Sequence, residues 1–113
     1  HWLNPGEYYG IPYGILYPKD GIDNLLAAGR VVSADYEAST AVACSGICMA
    51  VGEAAGTAAA LCIQENSVPR KLDVEKLQKT LVENGAILDA IPVPDTEELD
   101  WTYYKRKNGE WNL

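Results

Sequence analysis

The sequence predicts one small domain of the α/β class, and three patterns support this prediction. Short pieces rich in Tyr and Ile alternate with Gly and Pro in residues 1–24, as short strands do. Residues 43–61, ACSGICMAVGEAAGTAAAL, predict a long helix with small residues at nearly every core position. Residues 73–85 carry apolar residues at helical spacing, which predicts a second, shorter helix.

The first third of the chain is predicted to be extended. Two short strands are expected in residues 1–24, because Pro12 and Pro18 break any helix there. The apolar run of residues 25–34, LLAAGRVVSA, predicts a buried strand that ends at Gly29 and Arg30. A glycine at that point indicates that the chain turns there and passes close to another group.

The two helices have clear limits. The long helix is expected from about Ser45 or Gly46 to Gln64, followed by the polar stretch ENSVPR. Asp73 is the expected N-cap of the second helix and Gly85 its stop. The apolar face of this helix consists of Val74, Leu77, Leu81 and Val82. The remaining chain is expected to form an irregular arm that packs through Trp101, Tyr103 and Tyr104.

The charge and the cysteine content limit the classes of partner and the cellular compartment that we expect for this chain. The net charge of −7 and pI of about 4.5 argue against binding to nucleic acid or an anionic membrane, because both are polyanions. Three cysteines, Cys44, Cys48 and Cys62, are an odd number and argue against a disulfide framework. We expect buried free thiols, which favour a reducing cytoplasm, although localisation is otherwise not encoded here.

Four hypotheses account for the small-residue helix, and the first two are weak. A membrane span is disfavoured because Glu53 lies near its middle, where a carboxylate costs roughly 2.5–3.5 kcal/mol. A metal site is disfavoured because Cys44 and Cys48 supply only two of the four ligands that structural zinc needs. Two hypotheses stay open. Gly52 and Gly56 could form a packing groove, or the helix N-terminus could face an electron-rich ligand.

A family resemblance bears on this choice. NLLAAGRVVSADYEA, followed by CMAVGEAAGTAAAL, resembles the C-terminal part of the FAD-dependent oxidoreductases of bacteria, relatives of the fumarate reductase and succinate dehydrogenase flavoproteins. Those proteins show a strand ending in AGR, a loop, and a helix with GxAAGxAAAL. IPYGILYPKDGIDNLL and SVPRKLDVEKLQKTLVENGA are also similar, so the resemblance covers residues 8–86.

The resemblance implies a fold and a cofactor. The chain would be a C-terminal fragment of an FAD/NAD(P)-binding domain of the glutathione-reductase-like type. Residues 1–66 would belong to the FAD-binding domain, and residues 67–113 would be the second helix and the arm packed on it. The expected partners are FAD and a small-molecule substrate held by upstream domains, and the fragment itself could self-associate.

The resemblance also implies site residues. Gly29 would let the backbone approach the ribityl or pyrophosphate part of FAD, with Arg30 beside it. Cys44, Ser45, Gly46 and Ile47 would present N–H donors to the pyrimidine side of the flavin. Gly52, Ala55 and Gly56 would bring the helix close to a sheet. The cofactor contacts that the resemblance implies are therefore Gly29, Arg30, Cys44, Ser45, Gly46 and Ile47.

No catalytic residue is assigned. Many family members carry an arginine and a proline just before the helix, where this chain has Ala43 and Gly46, and Gly14 replaces a second arginine. Four residues could carry protons but are expected to be structural: Tyr13, Tyr36, Glu37 and Glu53.

The 113 residues contain no G-x-G-x-x-G after a strand, and hence no cradle for the pyrophosphate. We therefore expect this chain alone to bind FAD weakly or not at all. The alternative to part of a flavoprotein oxidoreductase is a non-enzymatic interaction or dimerisation module that uses the Gly/Ala-rich helix as its packing face.

Overall fold

The computed structural model describes residues 8–89 of the chain. Three α-helices form its framework: α1 (Tyr36–Val42), α2 (Ser45–Gln64) and α3 (Val74–Glu83). The connecting segments contain short 3-10 turns at Tyr13–Leu16, Gly29–Val31 and Pro69–Lys71. Residues 8–89 contain no β-strand, so the predicted α/β class is wrong for the described chain.

The strands predicted within residues 8–34 lack partners. Ala27 donates its N–H to the Leu16 carbonyl at 2.8 Å, but no ladder extends from this bond in the described chain. Pro12 and Pro18 have no N–H to give. The backbone at Ala28 is extended, but Gly29, with φ of +78°, starts a 3-10 turn instead of continuing it. Extended segments form strands only beside other strands, which residues 8–89 do not supply.

Helix α1 was not predicted from the sequence. Asp35 caps it, since its carboxylate accepts a hydrogen bond from the Ala38 N–H at 2.8 Å. Glu37 lies in the first turn, where a negative charge complements the helix dipole. The cap and this charge are the local signals for a helix in residues 35–40, DYEAST.

Helix α2 has the predicted limits, Ser45–Gln64. Its buried residues recur every three or four positions and so lie on one face: Val51, Ala55, Ala58, Leu61 and Cys62. The other side of the helix is mostly exposed. It carries mainly small residues, together with the large side chains of Met49 and Ile63.

The second predicted helix is also confirmed. The Asp73 carboxylate accepts a hydrogen bond from the Glu75 N–H at 3.0 Å and caps α3. Gly85, with φ of +94°, follows its C-cap Asn84. Only Leu77 and Leu81 of the predicted apolar face are buried in α3, whereas Val74 and Val82 are exposed. The irregular arm, with Trp101, Tyr103 and Tyr104, lies outside the described residues.

Two clusters of buried side chains form the core, and both use α2. The first joins the C-terminal half of α2 to α3 through Ala58, Leu61, Cys62, Leu72, Leu77 and Leu81. The second joins the N-terminal half of α2 to α1 and the preceding segment through Leu16, Val32, Val42, Val51 and Ala55. Tyr13, Leu26 and Ala54 pack against both clusters and connect them.

Polar contacts fasten the N-terminal segment to the Pro69–Lys71 turn. The Tyr13 hydroxyl donates to the Pro69 carbonyl at 2.9 Å. The Arg70 guanidinium lies 5.1 Å from the centre of the Tyr17 ring and donates to the Pro18 carbonyl. Cation–π contacts of this type contribute about 0.5–1 kcal/mol at exposed sites. These contacts hold residues 13–18 against the turn that precedes α3.

By length and composition alone, α2 could also cross a membrane. The same composition is found in core helices of soluble proteins, but only 22% of its apolar window is buried inside the described chain. Glu53 lies on its exposed side. The prediction that the protein has no membrane partner stays a prediction.

Truncating Leu77 should test the first cluster. Leu77 is 3% exposed, so Leu77→Ala should lower the free energy of unfolding by about 2–5 kcal/mol through lost burial and a cavity. Leu25→Ala is the matched control, because Leu25 is 45% exposed and should lose much less. Urea denaturation followed by circular dichroism measures both. Equal losses would show that Leu77 does not pack as described.

Candidate functional site

The first turn of α2 offers uncompensated backbone donors. The first N–H groups of an α-helix have no partner within the helix. Cys44 is the N-cap, and its side chain makes no capping hydrogen bond. The first helical bond runs from the Cys48 N–H to the Cys44 carbonyl at 2.9 Å, after Ser45, Gly46 and Ile47. This exposed helix start therefore carries donors and a partial positive charge.

The turn at Gly29 and Arg30 lies beside this helix start. The Arg30 Nε donates to the Ala43 carbonyl at 3.0 Å, and Ala43 directly precedes the α2 N-cap. The turn Gly29–Val31 also packs against both α1 and α2. Arg30 thus contacts the residue that precedes the segment Cys44, Ser45, Gly46 and Ile47, and with Gly29 these are the six residues that the sequence analysis singled out.

Space at this site is set by two glycines. Gly29 has φ of +78°, a conformation that other residues adopt only with strain. A Cβ added at Gly29 or at Gly46 would meet no atom of the described chain within 4 Å. The surface at both positions is therefore open, and Cys44, Ser45 and Gly46 are exposed while Ile47 is half-buried.

Three side chains donate hydrogen bonds to carbonyl groups at the C-terminal end of α1, where it meets α2. The last carbonyls of a helix lack partners inside it. Arg30 binds the carbonyl of Ala43, and the Cys48 thiol donates to the carbonyl of Val42 at 3.2 Å. Tyr9 adds a third contact, since its hydroxyl donates to the Ala41 carbonyl at 3.0 Å. Sequence reasoning missed this capping role, because nothing in the sequence spacing reveals it.

The three cysteines are free, as expected, but they differ in burial. Cys44 is exposed, Cys48 is intermediate, and Cys62 is buried, so the prediction of buried thiols holds only for Cys62. Burial, with a smaller contribution from the Glu65 carboxylate, raises the pKa of the Cys62 thiol. Residues 8–89 contain no group of three His, Cys, Asp or Glu side chains that could hold a metal ion.

The four residues considered as proton carriers are dispersed. Tyr36, Glu37 and Glu53 are exposed, with Tyr36 at 87%. Tyr13 is half-buried between the two clusters, and its hydroxyl is bound to the Pro69 carbonyl. Burial, followed by the Cys62 and Tyr17 groups, raises the pKa of Tyr13 to about 12. At neutral pH it is a fixed hydrogen-bond donor, which is a structural role.

The exposed side of α2 is open along the glycines. A Cβ at Gly52 or Gly56 would also meet nothing within 4 Å of the described chain. Ala55, which the sequence analysis grouped with them, lies instead on the buried face at 8% exposure. Residues 8–89 therefore give no reason for glycine at positions 52 and 56, and we call this open side, Gly52 and Gly56, the glycine face.

The geometry of this site indicates the class of ligand to which it is suited. An exposed helix start with free N–H groups, beside an arginine and an open glycine turn, is suited to an electron-rich or anionic group. The family model described as FAD dependent oxidoreductase matches residues 1–81, and the chain belongs to this family. No curated protein and no solved structure matches the chain.

The raised pKa of Tyr13 makes stability depend on alkaline pH. The folded chain holds this proton more tightly than the unfolded chain, in which the pKa is near 10.0. The resulting stabilisation is complete below pH 10 and is lost as the pH rises toward 12. The free energy of unfolding from urea titrations between pH 9 and 12 should fall more steeply for the wild type than for Tyr13→Phe. Parallel pH profiles would contradict this assignment.

Proposed function

We propose that this chain supplies one wall of the FAD site in an FAD-dependent oxidoreductase, beside the ribityl chain and the isoalloxazine. The proposed cofactor contacts are Gly29, Arg30, Cys44, Ser45, Gly46 and Ile47. One observation supports the proposal: Arg30, in the glycine turn, donates at 3.0 Å to the carbonyl of Ala43, the residue just before the uncapped N-cap of α2. Membership of the family supports FAD as the ligand.

The helix start would act as an electrostatic partner of the flavin. The N–H groups of Ser45, Gly46 and Ile47 precede the first helical hydrogen bond and carry the positive end of the α2 dipole. Donors of this kind stabilise negative charge most when they are held rigidly before the charge develops. The Val51 and Ala55 side chains anchor α2 in the second cluster and so hold these donors in place.

The glycine turn would set the distance between protein and cofactor. Gly29 has no side chain, and the space around its Cβ position is open, so a ligand can approach the backbone there. Arg30 is exposed and fixed through Nε, which fits a role in orienting the turn and adding positive charge. When bound, FAD supplies the redox chemistry by accepting and passing on electrons or a hydride.

Other parts of the flavoprotein complete this proposal. We assign the pyrophosphate cradle and the residues that hold the small-molecule substrate to regions outside these 113 residues. The fumarate reductase and succinate dehydrogenase flavoproteins, with their glutathione-reductase-like fold, are the proposed relatives of the whole enzyme.

The glycine face supports a second role for α2, as a packing surface. Gly52 and Gly56 lie on a side of the helix that the described chain leaves open, and glycine permits close approach of another backbone. In the flavoprotein this face would receive another part of the enzyme. In the alternative, a non-enzymatic module, the same face would receive a partner or a second copy.

Adding a carboxylate to the helix start should weaken cofactor binding. Gly46→Glu places a negative charge among the proposed flavin donors, where repulsion and the lost dipole interaction cost up to about 2 kcal/mol, or up to about thirtyfold in Kd. Gln64→Glu is the matched control, since it adds the same charge at the other end of α2, about 27 Å away. Flavin fluorescence during FAD titration of the flavoprotein apoenzyme gives both constants.

The two variants separate the outcomes. A large loss for Gly46→Glu with little change for Gln64→Glu supports the site. Equal Kd values for both variants and the wild type, with unchanged thermal unfolding, would contradict it. The midpoint potential of the bound flavin offers a second readout, because a nearby carboxylate disfavours the reduced, more negative ring and should lower the potential.

A further inference from the structure

The Cys48 side chain links α2 back to the end of α1. Its thiol donates a hydrogen bond to the Val42 carbonyl at 3.2 Å, across six positions of the chain. Val42 is the last residue of α1, and Cys48 lies in the first turn of α2. The bond therefore joins the two helices and closes a ring with residues 43–47 between its ends.

This ring contains the proposed flavin donors. The N–H groups of Ser45, Gly46 and Ile47 precede the first helical hydrogen bond of α2. That bond runs from the Cys48 N–H to the Cys44 carbonyl at 2.9 Å. A segment that has free N–H groups and includes a glycine has few bonds of its own to fix its orientation. The orientation of the donors therefore depends on how the ring is closed.

Both ends of the ring are anchored in the core. Val42 is 8% exposed and belongs to the second cluster of buried side chains. Cys48 is partly buried, and Val51, three residues further along α2, belongs to the same cluster. The thiol bond thus connects two points that the core already holds, and it ties the exposed donors between them to that core.

The other two side chains bound at the end of α1 come from the chain that precedes α1. Tyr9 binds the Ala41 carbonyl, which lies outside the ring. Arg30 binds the Ala43 carbonyl inside the ring, but Arg30 is also one of the proposed cofactor contacts. Cys48 is therefore the residue at which the orientation of the donors can be changed without removing a proposed contact.

We propose that Cys48 is a positioning residue for the flavin: its thiol, bound to the Val42 carbonyl, holds the donors of the helix start in the orientation that meets the ring. This inference rests on the proposed function of α2. Donors that are fixed in advance stabilise developing negative charge better than donors that must first reorient. Loss of the thiol bond should therefore weaken the binding of reduced flavin more than that of oxidised flavin.

Three substitutions in the flavoprotein test this role. Cys48→Val removes the S–H donor and keeps a side chain of similar volume, whereas Cys48→Ser retains a donor. Tyr9→Phe is the matched control, because it removes a hydrogen bond to α1 outside the ring. Cys48→Val should raise the Kd of the apoenzyme for FAD about threefold to tenfold, the effect of one lost neutral hydrogen bond. Cys48→Ser should lie nearer the wild type, and Tyr9→Phe should match it.

The midpoint potential of the bound flavin gives a readout that a general loss of packing does not move. A tenfold larger loss of affinity for reduced than for oxidised flavin lowers the potential of a two-electron couple by about 30 mV. Cys48→Val should shift the potential in this direction, and Tyr9→Phe should leave it unchanged. If Cys48→Val prevents folding, Cys48→Ala removes the same donor with a better helix-forming residue.

Comparison with Gly46→Glu separates this inference from the proposed function. Weaker FAD binding by Gly46→Glu, with an unchanged potential in Cys48→Val, would overturn the role of Cys48 and leave the flavin wall in place. No effect of either variant would contradict the wall and the role of Cys48 together. Equal shifts of the potential in Cys48→Val and Tyr9→Phe, or in Cys48→Val and Cys48→Ser, would also overturn the positioning role.

Discussion

The described fold depends on one face of α2. Val51 and Ala55 carry one cluster of the core, and Ala58, Leu61 and Cys62 carry the other, so two separate packing interactions share a single rigid helix. The residues of this face are mostly small, which lets α3 and the N-terminal segment approach closely. Loss of this face would remove the α2 side chains from both clusters, and Ala54, which links the clusters together with Tyr13 and Leu26, is itself a residue of α2.

This arrangement fixes the proposed site without using the site residues as core. The N-terminal half of α2 is anchored by its buried face, while Ser45 and Gly46 at its start stay exposed. Arg30 has two duties in the proposal: it satisfies the Ala43 carbonyl at the end of α1 and places positive charge beside the start of α2. A ligand that gains negative charge on reduction is stabilised by such fixed donors and needs no acid or base from this wall.

The sequence predicted the helices well because their signals are local. Asp73 and Gly85 mark the limits of α3, and the limits of α2 were correct. The predicted strands are wrong because a strand needs a neighbouring strand with which to form hydrogen bonds. Within residues 8–34, the only backbone hydrogen bond between separated segments runs from the Ala27 N–H to the Leu16 carbonyl. Helix α1 was missed although Asp35 caps it. The site residues came from a family resemblance, and no spacing could have revealed the Arg30 contact that brings them together.

The rate of Cys44 alkylation tests the central claim most directly, because this exposed thiol lies at the helix start that we assign to the flavin. Mass spectrometry after N-ethylmaleimide treatment would compare the flavoprotein with and without FAD, using the buried Cys62 as an internal reference. If FAD covers the helix start 90% of the time, Cys44 should react about tenfold more slowly in the holoenzyme while Cys62 changes little. Equal rates for Cys44 in both forms would contradict the assignment of this wall to the flavin.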